Sequence, residues 1–136
     1  GYRLADNQSA VALQWLTWEE EQRGVRIQHA GREREVKIDG MKVDGFDGDR
    51  VYEFQGCYYH GCPKCFPYKR GEPLKEDPSD TLELRYERTK SKMEKLSATP
   101  YDVVEMWQCN FNNLKAERNL EYLESHPMLN NLPLNP

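Results

Sequence analysis

The chain has 136 residues, a net charge of −4 and 38% hydrophobic content, which is enough apolar material for a single core. It contains neither an apolar run long enough to cross a membrane nor a signal-peptide pattern, so an intracellular setting (nuclear or cytoplasmic) with no membrane partner is expected. The net acidity argues against a binder that holds nucleic acid by sequence-blind charge alone, but leaves room for a nuclease whose bound cations offset an acidic cluster.

Gly1–Gln8 reads as a flexible lead-in, 9–125 as the domain, and 126–136 as a proline-containing tail. Ser9 predicts an N-cap and Ala10–Gln22 a helix, with Val11, Ala12, Leu13, Trp15, Leu16 and Trp18 on one arc. Glu19 falls near the centre of that arc and Glu20 at its edge, unusual places for acids unless Glu19–Glu21 form the solvated end of the helix. Arg23-Gly24 ends the helix. Val25–His29 then alternates as a strand, in which His29 is expected to bond neighbouring backbone.

Glu35–Ile38 predicts a short strand and Asp39-Gly40 a hairpin turn. Met41–Phe46 and Arg50–Gln55 follow as paired strands joined at Asp47-Gly48-Asp49, whose residues accept the backbone of a tight turn. Alternation puts Glu53 and Gln55 on one face of the second strand and Tyr52 and Phe54 on the other. The hairpin therefore brings Asp44 towards Glu53 and Gln55, a pair of carboxylates and a polar neighbour suited to a hard divalent cation.

Cys57, Cys62 and Cys65 have C-x4-C-x2-C spacing, and Cys109 follows an apolar strand at Val103–Trp107. Two disulfides are one reading; a zinc site built from four thiolates is the other, and a C-x2-C pair in an intracellular chain favours zinc. His60 lies in the same loop but outside a ligand set that four thiolates already fill. Phe66–Asp80 reads as a mobile polar loop in which Lys64 (just before it), Lys69 and Arg70 offer a phosphate-contacting edge. Asp80 predicts the cap of a helix over Thr81–Ser97 with Leu82, Tyr86, Met93 and Leu96 inward. Arg85, Arg88, Lys90, Lys92 and Lys95 then form an outward basic face, a candidate contact for a nucleic-acid backbone. Tyr101–Trp107 predicts a buried strand and Leu114–Glu124 a last helix.

The D…E-x-Q arrangement of Asp44, Glu53 and Gln55 resembles the PD-(D/E)xK nuclease core, with Gln55 where that family usually has Lys. The run Gly56-Cys57-Tyr58-Tyr59-His60-Gly61-Cys62-Pro63-Lys64-Cys65, with Met106-Trp107-Gln108-Cys109 downstream, resembles the very-short-patch-repair (Vsr-like) endonucleases, whose signature is G-C-F-W-H followed by zinc ligands and a later W-E-C. It is more similar still to the Vsr-like domains that accompany family B DNA polymerases of large viruses and mobile elements. The matching positions span Ala10–Phe111.

The resemblance implies an α/β restriction-endonuclease-like fold, a mixed central sheet flanked by helices, with a zinc knuckle inserted after the catalytic hairpin. It implies a metal-dependent DNA endonuclease in which Asp44, Glu53 and the Phe54 carbonyl hold Mg²⁺ or Mn²⁺. Gln55 would orient water or contact the phosphate, and His60 would act as general base or phosphate contact. Structural Zn²⁺ would sit on Cys57, Cys62, Cys65 and Cys109, with Cys62 standing where Vsr-like enzymes use His. Tyr58 and Tyr59 match the aromatic pair that wedges into DNA, and Glu19 or Glu20 matches a helical acid that many such nucleases add to the metal site. DNA is the expected partner, and the tail reads as a linker to a polymerase domain. The other reading is a catalytically silent, zinc-stabilised nucleic-acid-binding or assembly domain of a replication protein.

Overall fold

The computed structural model describes residues 9–126, so the lead-in and all of the tail beyond His126 lie outside the described residues. Three helices and five short strands follow in order: α1 (Ala10–Arg23), β1 (Val36–Ile38), β2 (Met41–Val43), β3 (Gly45–Phe46), β4 (Arg50–Gln55), α2 (Leu82–Ser97), β5 (Asp102–Trp107) and α3 (Gln108–Arg118). A 3-10 turn at Glu121–Ser125 closes the described chain. Among the described residues no helix is long and apolar enough to cross a membrane.

α1 forms where its apolar arc predicts. Ser9 Oγ accepts from the Ala12 N–H at 3.2 Å, and Gly24, left-handed at φ 65°, ends the helix by donating to the Glu20 carbonyl. Trp15 and Leu16 are fully buried, and the Trp15 ring meets Tyr52 and Phe54 at centroid distances of 5.9 and 5.8 Å. The strand expected at Val25–His29 does not form. Gln28 makes one bridge to Phe46, the Ile27 N–H is captured by Glu20 Oε2, and the Arg32 and Glu33 N–H groups turn back onto the His29 carbonyl. Local hydrogen bonds outcompete a longer ladder there.

The Asp39-Gly40 turn, with φ 49° and 80°, reverses β1 into β2 as an antiparallel pair. The strand expected over Met41–Phe46 is broken at Asp44: β2 stays with β1, while β3 swings across to pair with β4. β4 is the centre of a three-stranded mixed sheet, antiparallel to β3 and parallel to β5, which the chain reaches through a crossover containing α2.

Alternation along β4 sorts the core into two layers. Tyr52 and Phe54 pack with α1, Phe111 of α3 and Leu123, whereas Val51 packs with Leu96 and Met93 of α2 and with the β1–β2 hairpin. Helices thus cover both faces of the sheet.

Three expectations need correction. β5 is an edge strand, and its residues are half-buried or exposed rather than buried. The last helix starts at Gln108, directly after β5, and stops at Arg118, where Asn119 is left-handed at φ 55°; Glu121–Ser125 is a separate 3-10 turn that buries Leu123. Thr81, not Asp80, caps α2 through an Oγ1 contact with the Leu84 N–H. Asp80 is instead buried under Arg85 and Arg88, which pair with its carboxylate at 3.0 and 2.9 Å.

Candidate active site and cysteine cluster

The acidic pair is assembled by the break between β2 and β3. The Asp44 N–H reaches both the Tyr52 carbonyl (3.1 Å) and Glu53 Oε1 (3.2 Å), and Asp44 Oδ2 accepts from the Phe54 N–H at 2.7 Å. The hairpin that holds it is pinned by Asp47, whose carboxylate accepts from the Asp49 and Arg50 N–H groups, the Arg50 guanidinium and the Tyr52 hydroxyl. Glu53 is 3% exposed. Burial and the neighbouring Asp44 charge raise its carboxyl above the usual range, against the pull of Lys92, whose Nζ lies 3.0 Å from Glu53 Oε2. A buried Glu53 carboxylate beside the half-buried Asp44 carboxylate is a site that a divalent cation would relieve.

Gln55, 1% exposed, donates from Nε2 to Glu105 Oε2 at 3.1 Å, and its Oε1 has no partner among the described residues. Glu105 is the register partner of Glu53 across the parallel β4–β5 pair, and it escapes a sequence reading because nothing local tells which residue of β5 faces which residue of β4. A cleft of about 200 Å³ opens here, with Gln55, Tyr59 and His60 on one side and Arg85, Arg88, Thr89 and Lys92 of α2 on the other.

His60 is placed by the loop after β4. Its Nδ1 lies 2.9 Å from Thr89 Oγ1, whose own proton is committed to the Arg85 carbonyl. Nδ1 therefore carries the hydrogen, leaving Nε2 as the lone-pair nitrogen of a residue that lines the cleft. Burial, with the charges of Lys92 and Arg85 adding to it, pushes the imidazole down to about 4, so it is neutral near pH 7. A neutral imidazole with a free acceptor nitrogen can take a proton.

The loop itself is set by Gly61. At φ 65° it lies so close to α2 that a Cβ would stand 2.1 Å from the Leu82 carbonyl oxygen. Cys57, Cys62, Cys65 and Cys109 converge beside it, each offering one sulfur, with all four sulfurs within 4.8 Å of one another. No disulfide joins them. The Cys109 N–H donates to Cys57 Sγ at 3.3 Å, so the first turn of α3 brings the distant fourth thiol into place. Burial pushes the Cys57 thiol up; burial would do the same to Cys62, but the Cys65 and Lys64 backbone N–H groups outweigh it and lower that thiol. Four convergent sulfurs suit a tetrahedral metal ion.

The remaining candidates separate clearly. Tyr59 is 59% exposed at the mouth of the cleft, whereas Tyr58 has its hydroxyl on Glu76 and its ring under the Arg85 guanidinium. Lys64 and Lys69 are exposed, but Arg70 donates to the Gly61 and Phe66 carbonyls and to Glu83. Arg70 thereby ties down the segment expected to be a mobile loop. Arg85 and Lys92, expected on the outer face of α2, turn into the cleft. Glu19 is engaged by the Trp15 indole N–H (3.1 Å) and by Arg23 (2.7 Å), and Glu20 makes a two-pronged pair with Arg32 at 2.7 and 2.8 Å. Neither acid is at a solvated helix end. His29 is fully buried and accepts from the Gly31 N–H at Nδ1. Comparison of the chain with models of protein families, with curated proteins and with solved structures finds no match.

Proposed function

We propose that this chain is a divalent-metal-dependent DNA endonuclease with a restriction-endonuclease-like core and a structural zinc knuckle. The observation that carries the reading is the meeting of half-buried Asp44 and buried Glu53 at one hairpin, adjoining a cleft that His60, Gln55 and Lys92 share. A sheet covered by helices on both faces, with β5 parallel to β4, is compatible with that core.

Asp44, Glu53 and the Phe54 carbonyl would hold Mg²⁺ or Mn²⁺, and Cys57, Cys62, Cys65 and Cys109 would hold Zn²⁺. The divalent ion, when bound, supplies polarisation of the phosphate and acidification of water. His60 Nε2 accepts a proton from the attacking water while the water oxygen bonds to phosphorus. The P–O bond to the leaving sugar oxygen breaks, and that oxygen takes up a proton from solvent. Gln55, its amide nitrogen held by Glu105 and Met93, keeps Oε1 as a buried acceptor with no partner among the described residues, so it would orient the water as an acceptor instead of contacting phosphate oxygens. Tyr59, exposed at the cleft, would stack on an unpaired base, and the exposed Lys64 and Lys69 would contact the backbone.

The Lys92–Glu53 ion pair satisfies Glu53 without metal, as a catalytically silent zinc-stabilised nucleic-acid module would also do. Labelled single-stranded, duplex, mismatched and branched DNAs incubated with Mg²⁺, Mn²⁺ or EDTA separate the two. Metal-dependent cutting of any of them supports the enzyme, and binding with no cutting of any supports the silent module.

A further inference from the structure

We propose that Lys92, delivered by α2, places on the scissile phosphate the positive charge that the strand position Gln55 lacks; the proposal rests on the nuclease reading and deepens it. Lys92 lines the same cleft as Gln55 and His60, and its Nζ stands 3.0 Å from Glu53 Oε2. Its position on α2 is three residues after Thr89, the partner of His60, so one helical stripe sets both groups over the same spot. Gln55 cannot serve, because its amide nitrogen is tied to Glu105 and Met93 and its remaining polar atom, Oε1, is an acceptor. Arg85 and Arg88 are the other cations of the cleft, and both are paired with Asp80. The carboxylate that pairs with Lys92 is Glu53, the group that would turn to a metal ion. Once Glu53 does so, the ammonium, still anchored by its 2.5 Å hydrogen bond to the Lys42 carbonyl, has the donor it gave Glu53 free beside the position where phosphate oxygens gain charge as the water–phosphorus bond forms. Fixed positive charge at that point is among the stronger contributions a nuclease residue can make.

The test compares wild type, Lys92→Met and the double variant Lys92→Met/Gln55→Lys by calorimetric Mn²⁺ titration without DNA and by cleavage of labelled DNA. Lys92→Met binds Mn²⁺ as tightly as wild type or more tightly, since a competing cation has gone, yet cleaves about 10² to 10³-fold more slowly. The double variant, with its lysine moved to the strand, recovers at least about tenfold of that loss. Lys92→Gln replaces Lys92→Met if the latter loses its zinc or its thermal transition. Loss of Mn²⁺ binding in a folded Lys92 variant overturns the proposal by making the residue structural. Equal cleavage by wild type and the variant overturns the proposal alone, whereas a wild type that cuts nothing removes the nuclease reading and the proposal together.

Discussion

His29 is a buried imidazole and His60 a half-buried one, and their partners give them different fates. Thr89 fixes the His60 tautomer so that the free nitrogen belongs to the cleft. His60→Ala should therefore lose about two to four orders of magnitude in cleavage rate, the usual range for a general base, while retaining its zinc. Zinc loss in that variant, read by metal analysis, would make His60 a ligand instead. His29 lies among Glu20, Arg32, Glu33 and Arg26, and burial, with Arg32 next in effect, lowers it from 6.5 to about 4. Between those values the unfolded chain binds a proton that the folded chain does not, so stability falls as pH drops from about 6.5 towards 4. Urea midpoints across that range should show a shallower slope in His29→Asn; an unchanged slope contradicts the assignment. The bond of His29 to nearby backbone was legible from sequence, as the Gly31 N–H contact with Nδ1 shows, although the strand expected around it does not form. Lys92 and Glu105 were not legible as site residues, because each reaches Glu53 or Gln55 only after the parallel β4–β5 register and the α2 crossover are formed.

At the scale of elements, turns were the most readable features and strand extents the least. Asp39-Gly40, Asp47-Gly48-Asp49 and Gly24 stand where backbone chemistry demands them. The break at Asp44 was hidden, since Met41–Phe46 alternates like one strand and only the side-chain bonds of Asp44 and Glu53 divide it. The early start of α3 was equally hidden, because Gln108–Asn113 carries mostly polar residues and lacks a side-chain cap. The knuckle is joined to α2 through Gly61. Gly61→Ala should cost about 2 kcal/mol or more, since it adds a side chain at positive φ and drives it into the Leu82 carbonyl. Its cleavage rate should fall as well, because the His60–Thr89 contact depends on that docking. A Gly61→Ala protein with the wild-type thermal midpoint would show that the close approach relaxes freely.

For the whole molecule, two centres share one short segment. β4 ends at Gln55, and the cysteine loop begins two residues later, so the acidic pair and the four thiols sit at neighbouring ends of the same stretch. Cys109 ties α3 to this loop, and removing zinc should therefore loosen α3 and the loop together. Chelation, followed by hydrogen exchange, is expected to raise exchange over 56–66 and 108–112 before it does so in α1. Uniform exchange with no response to chelation would mean that the thiols hold no structural metal. The central claim, that Asp44 and Glu53 form a metal-dependent cutting site, is tested most directly by one measurement: the cleavage rate of a labelled DNA set by wild type, Asp44→Ala and Glu53→Ala in Mn²⁺ and in EDTA. The account predicts cutting by wild type in Mn²⁺ alone and none by either variant, each with unchanged zinc content and a cooperative thermal transition. Wild-type rates in either variant, or cutting that survives EDTA, would contradict it.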